Sequence, residues 1–278
     1  MDHGLSTYRP MRIIVYLLAL IIVGYVAGCL VLYFFQEKLI FHPYALPQDR
    51  VFHFEQPFEE HFVDAGDGVK LHAIHFHPAA ESKGIVIYYH GNGGCMDRWG
   101  FVAKDFTDRG YEVFMTDYRG YGKSGGTIQS EAQFISDANV LYEYGVGLAP
   151  GKRVVVVGTS MGSGVAPGVA AKHQPDMLIL NTPYNSLLDV TKSHTFGILP
   201  INWILKYHLK SEDLIGQFNG PVYIIHGTAD RTVPYACAEK LAKRSNPANT
   251  TFITVPNGTH KLGSDPAYFQ MLDVALEK

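Results

Sequence analysis

The chain has 278 residues, 47% of them hydrophobic and 18% charged, with a formal net charge of −3. That apolar content suits one large domain with its own core and excludes a disordered chain. The near-balanced charge, without a basic stripe, argues against nucleic acid as a partner, and Cys29, Cys95 and Cys237 are too few for a disulfide framework.

Ile13 to Phe35 is an uncharged apolar run. At about 1.5 Å per residue it spans a hydrocarbon core of about 30 Å with some tilt. Arg9 and Arg12 precede it, whereas Glu37 and Lys38 behind it nearly cancel. The basic excess orients residues 1–12 as a cytoplasmic tail, 13–35 as a single-pass anchor and the main domain on the non-cytoplasmic side. Two rival readings remain: a cleaved signal, which would have a shorter apolar region of about 7–15 residues, and a lipoprotein signal ending at Cys29. Residues 36–58, punctuated by Pro43, Pro47 and Pro57, read as a connector whose aromatic residues suit a membrane interface.

From residue 59 to the C-terminus the pattern is that of one domain. Glu60 to Asp64 and Lys70 to Phe76 flank the turn Ala65-Gly66-Asp67-Gly68 and predict a hairpin. Further apolar, β-branched runs follow at Gly84–Tyr89, Glu112–Thr116, Arg153–Gly158, Met177–Leu180, Val222–His226 and Thr251–Val255. Helical stretches near 97–109, 130–145, 161–173, 234–246 and 265–277 separate them. That alternation predicts an α/β fold: a mostly parallel sheet covered on both faces, entered by an antiparallel hairpin. Residues 184–218 break the rhythm and read as a small lid that leaves the site fairly open. Pro167 kinks the helix after residue 161 unless it lies in its first turn.

Three loops carry chemistry. Gly158-Thr159-Ser160-Met161-Gly162 matches G-x-S-x-G between a strand and a helix, the context that a nucleophilic serine on a sharp turn requires. Asp230 follows the strand Val222–His226, where a carboxylate can fix a histidine tautomer. His260 follows the last strand and can take the Ser160 proton. A glycine loop, His90-Gly91-Asn92-Gly93-Gly94, can turn a backbone N–H toward the serine. The expected oxyanion hole is the amides of Asn92 and Met161, with Gly93 as the alternative to Asn92. The order Ser160, Asp230, His260 is one of three familiar triad orders.

On HGNGG (90–94), DYRGYGKSGG (117–126), GTSMG (158–162), HGTAD (226–230) and NGTH (257–260), the sequence over about residues 59–278 resembles the α/β-hydrolase family. The anchor followed by QEKLIFHP (36–43) is similar to a membrane-anchored subgroup of α/β-hydrolase-domain proteins, some of them protein depalmitoylases. The resemblance implies the α/β-hydrolase fold and serine esterase or thioesterase chemistry on an acyl substrate, with no cofactor. The alternatives are a peptidase or acyltransferase on the same fold, or a non-catalytic binding module.

His72, His75 and His77 lack carboxylates or cysteines at ligand spacing along the chain, so no metal is expected. Cys95 reads as a small loop residue. Asp117 to Gly126 reads as a structural loop beside the site rather than a substrate contact through Arg119 or Lys123.

Overall fold

The computed structural model describes residues 8–195 and 197–277. Residues 1–7 of the expected tail, Phe196 of the expected lid and Lys278 lie outside the described residues. The chain opens with helix α1 (Tyr8–Ile40), which begins before and ends after the apolar run. Its 30-residue segment Met11–Ile40 is long and apolar enough to cross a membrane, and none of its most apolar stretch is buried against the domain.

The hairpin is β1 (Phe58–Asp64) and β2 (Lys70–Phe76), antiparallel as expected. Then come β3 (Gly84–Tyr89), β4 (Tyr111–Thr116), β5 (Arg153–Thr159), β6 (Met177–Asn181), β7 (Val222–Gly227) and β8 (Thr250–Val255). They form one eight-stranded sheet in the order β1-β2-β4-β3-β5-β6-β7-β8. The pairings from β4 onward are all parallel, while β2 meets β4 antiparallel.

The central strands are apolar throughout because both faces are covered. On β3, Ile85, Ile87 and Tyr89 face one core and Val86 and Tyr88 the other; on β5, Val154 and Val156 oppose Val155 and Val157. Helices α4 (Glu131–Leu148), α5 (Ala166–His173) and α8 (Tyr235–Arg244) cover the first face. The second is covered by α2 (Met96–Trp99), α3 (Ala103–Thr107) and α9 (Pro266–Leu276). The first turn after Ser160 is a 3₁₀ helix, so α5 starts at Ala166 and Pro167 sits in its first turn without a kink. Among the described residues of 184–218 the elements are short: α6 (Leu187–Thr195), α7 (Ile201–Ile204) and two 3₁₀ turns.

The connector is no loose tether. Its first five residues continue α1, and Phe41 is buried against Phe134 and Tyr207 at centroid separations of 5.7 and 5.0 Å. Pro43 and Ala45 bridge to Gly94 and Gly122, and Phe52 is buried in the second core.

Candidate active site

Ser160 sits where β5 ends, with φ of 50°, a left-handed conformation that costs a non-glycine residue free energy and recurs at functional turns. The turn tolerates nothing larger than glycine at 162, because a Cβ there would collide with the Tyr89 carbonyl. Around the elbow, the Ser163 hydroxyl donates to the Ser160 carbonyl (2.6 Å) and the Ser211 hydroxyl to the Ser163 carbonyl (2.8 Å).

Three strand ends meet here. Ser160 Oγ lies 2.9 Å from His260 Nε2, and His260 Nδ1 lies 2.7 Å from Asp230 Oδ2. In the tautomer that satisfies both contacts, Nδ1–H donates to the carboxylate and Nε2 accepts from the serine hydroxyl. Asp230 Oδ1 accepts from the Thr232 and Val233 N–H groups at 2.8 and 2.9 Å. Burial raises the Asp230 carboxyl, but the His260 hydrogen bond and these two amides outweigh it and hold it below the usual carboxylate range. A carboxylate at Nδ1 fixes the imidazole tautomer and aims Nε2 at the Ser160 hydroxyl.

The glycine loop lies beside the serine: Gly91, Asn92 and Gly93 line the same cavity of about 510 Å³ as Ser160 and His260. Among the described residues the Asn92 N–H donates to no acceptor, whereas its side chain is fully engaged. Asn92 Nδ2 donates to the Ile40 carbonyl (2.6 Å), and Oδ1 accepts from the His42 N–H (3.0 Å) and the Tyr121 hydroxyl (2.7 Å). Met161 follows Ser160 in the first turn and is buried. The arrangement can receive an acyl carbonyl, move one proton and face an oxyanion with backbone amides.

Sequence reasoning gave the loop 117–126 no specific task; here it braces the glycine loop. The Tyr118 hydroxyl donates to the His90 carbonyl (2.7 Å), and Tyr121 holds Asn92. Asp117, wholly buried, lies between His72 (3.1 Å) and His90 (3.3 Å). Burial raises its carboxyl, but the His72 and His90 contacts outweigh it, so Asp117 stays below the usual range. Arg119 pairs with Asp137 (2.6 Å) and Asp67 (2.8 Å), and Lys123 with Glu60 (2.6 Å), so neither cation is free for substrate. The tyrosine spacing in DYRGY was the available signal, but its partners come from distant segments.

The histidine reading needs correction. The sheet brings carboxylates that chain spacing hides: Glu60 and Asp117 flank His72, and Glu112 on β4 meets His75 at 2.8 Å. His75, His77 and Glu112 place ligand atoms within 4.8 Å of one another and could hold a cation. Lys152 already supplies positive charge to Glu112 at 2.6 Å, and the group lines neither cavity at Ser160. Cys95 and Cys237 are free and buried, and burial pushes both thiols up to about 11, so neither is a second nucleophile.

A family model described as serine aminopeptidase, S33, matches residues 80–196. An uncharacterized protein of Mycobacterium tuberculosis is 30% identical over 245 residues, covering 86% of this chain and 86% of that protein. The lysophosphatidylserine lipase ABHD12 of Danio rerio is 31% identical over 179 residues, 58% of this chain and 47% of that one, so the match spans about half of that relative. Among solved structures, the Pyrococcus furiosus esterase Pf2001 superposes with a TM-score of 0.67 at 19% identity, covering 84% of this chain and 97% of that one, which speaks for the fold alone.

Proposed function

The chain belongs to the α/β-hydrolase family and has its fold, and from there we propose that it is a membrane-anchored serine hydrolase cleaving carboxylic ester or thioester bonds. The observation that carries this reading is the unbroken chain of hydrogen bonds from Ser160 through His260 to Asp230. Ser160 Oγ attacks the acyl carbonyl while its proton passes to His260 Nε2. The amides of Asn92 and Met161 stabilise the oxyanion. His260 then protonates the departing alcohol or thiol, and water repeats the sequence on the acyl-enzyme.

The lipase activity of the Danio rerio relative and the mainly apolar lining near Ser160 favour an acyl-lipid ester over a peptide. In this reading residues 13–35 span the bilayer, residues 1–12 stay cytoplasmic, and residues 59–278, with a lid at about 184–218, work on the other side. The test is labelling of detergent-solubilised full-length protein with a fluorophosphonate, alongside hydrolysis of p-nitrophenyl esters. Labelling and turnover that vanish together in Ser160→Ala support the assignment. A folded wild type that neither labels nor turns over would overturn it.

A further inference from the structure

A second cavity, of about 430 Å³, reaches Ser160 without His260 in its lining and is not needed for the proton transfers above. One wall is the end of α1, Leu39 and Ile40, with Phe41 behind it; the facing wall is α6, with Leu187 and Val190. Two of the hydroxyls on the α6 wall are spent locally: Thr191 donates to the Leu187 carbonyl (2.8 Å) and Thr195 to the Thr191 carbonyl (3.0 Å). The trough is mainly apolar, with His42, Asn92, His194 and Thr232 among its polar members, is of a size typical for small-molecule sites at about 300–1,000 Å³, and has the nucleophile in its lining.

Three observations say what fills it. The wall is continuous with the exposed apolar surface of α1, so a chain leaving the trough along that wall meets the same medium as the helix. The lid is fastened to α1: Tyr25 donates to the Ile198 carbonyl (2.9 Å), Gln36 to the Ile204 carbonyl (3.0 Å), and Lys206 pairs with Glu37 (3.1 Å). On that fastened segment Ile198 and Trp203 are 70% and 86% exposed, a pair of large apolar side chains turned out beside the helix. Finally, Asn92 bonds the Ile40 carbonyl at 2.6 Å, so the loop beside the serine hydroxyl is pinned to the wall itself.

We infer that this trough is the binding site for one acyl chain of a bilayer lipid, with the anchor helix as part of the site rather than a tether to it. The inference rests on the hydrolase reading above and adds the direction of entry: the chain slides in along α1, and its carbonyl arrives over Ser160. The other cavity, lined by His260 and Trp99, then takes the leaving group.

The test uses full-length protein in phospholipid vesicles and compares p-nitrophenyl acetate with p-nitrophenyl decanoate. In Val190→Trp, the added ring fills the trough, and the decanoate-to-acetate ratio of kcat/KM falls at least about tenfold, because each methylene excluded forfeits its burial. In Leu39→Ala, at an exposed position that does not threaten folding, the ratio falls about twofold to fivefold through loss of wall contact. Ratios within twofold of wild type in both variants would overturn the inference, and Leu39→Ala decides alone if Val190→Trp does not fold. Failure of the hydrolase reading itself is read separately, from wild type that does not label with a fluorophosphonate.

Discussion

The Tyr121 hydroxyl donates to the Asn92 side-chain carbonyl at 2.7 Å, joining the loop after β4 to the loop after β3. The same phenol oxygen accepts from the His42 N–H at 3.1 Å, so one ring holds the glycine loop and the end of the anchor together.

Tyr121→Phe removes the brace from both partners, which keep only their mutual bond from the His42 N–H to Asn92 Oδ1 at 3.0 Å. The Asn92 amide keeps its identity but loses its fixed position, so the loss is smaller than deleting an oxyanion donor outright, which costs about 10²–10³ in kcat. We expect a fall of about fivefold to thirtyfold in kcat with little change in KM, and about 1–2 kcal/mol of stability lost. Steady-state ester kinetics check the split; a change confined to KM would place Tyr121 in substrate binding instead.

Gly122→Ala tests the buried carboxylate behind that loop. Gly122 has φ of 53°, and an added Cβ would collide with Asp117 Oδ2. Asp117 cannot step aside without leaving His72 and His90. The expected cost is about 2–4 kcal/mol, visible as a lowered melting temperature in detergent.

The Arg119–Asp137 pair tests buried charge. Both side chains are almost fully buried, with Arg119 Nε and Nη2 on the two oxygens of Asp137 at 2.6 and 2.9 Å. Arg119→Met leaves the carboxylate without its counter-ion and costs about 3–5 kcal/mol, whereas Arg119→Met combined with Asp137→Leu recovers most of that loss. Denaturation midpoints of the two variants separate uncompensated charge from mere loss of packing volume.

Asp105, on α3, is the pH-sensitive case. Burial pushes its carboxyl up to about 6, opposed by Arg109 and reinforced by Asp108. The folded state thus favours the protonated acid: its stabilising contribution is complete below the unfolded value of about 3.9 and is lost as pH rises through about 6. Asp105→Asn, neutral at every pH, should be more stable than wild type by about 1–2 kcal/mol near pH 8 and no different near pH 4. Melting temperatures across that range check the sign; equal gains at both ends would exclude titration as the cause.

Much of the architecture was legible along the chain. β2 and β3 run over the residues that their β-branched and aromatic runs marked, since strands buried on both faces admit little else. Ser160, Asp230 and His260 could be read because each follows a recognisable strand, and those strand ends meet. What escaped were relationships fixed only in three dimensions. Glu112 lies 37 positions from His75 and becomes its partner only when β4 pairs with β2. The segment after the apolar helix looked like a linker because Pro43, Pro47 and Pro57 interrupt any helix or strand period. Phe41 and Phe52 are enough to seat it, and its backbone completes bridges that no periodicity reveals.

That seating decides how the catalytic domain can be carried. A flexible stalk lets a domain sweep a volume that grows with stalk length. Here the helix runs to Ile40 and the next residue is already in the core. The serine therefore rides at one fixed elevation and one fixed azimuth about the helix axis. Under the proposed membrane anchoring, a lipid substrate would reach it by lateral diffusion beneath a stationary aperture, and trimming the chain at Phe41 would leave a domain with one wall of its cavity torn away.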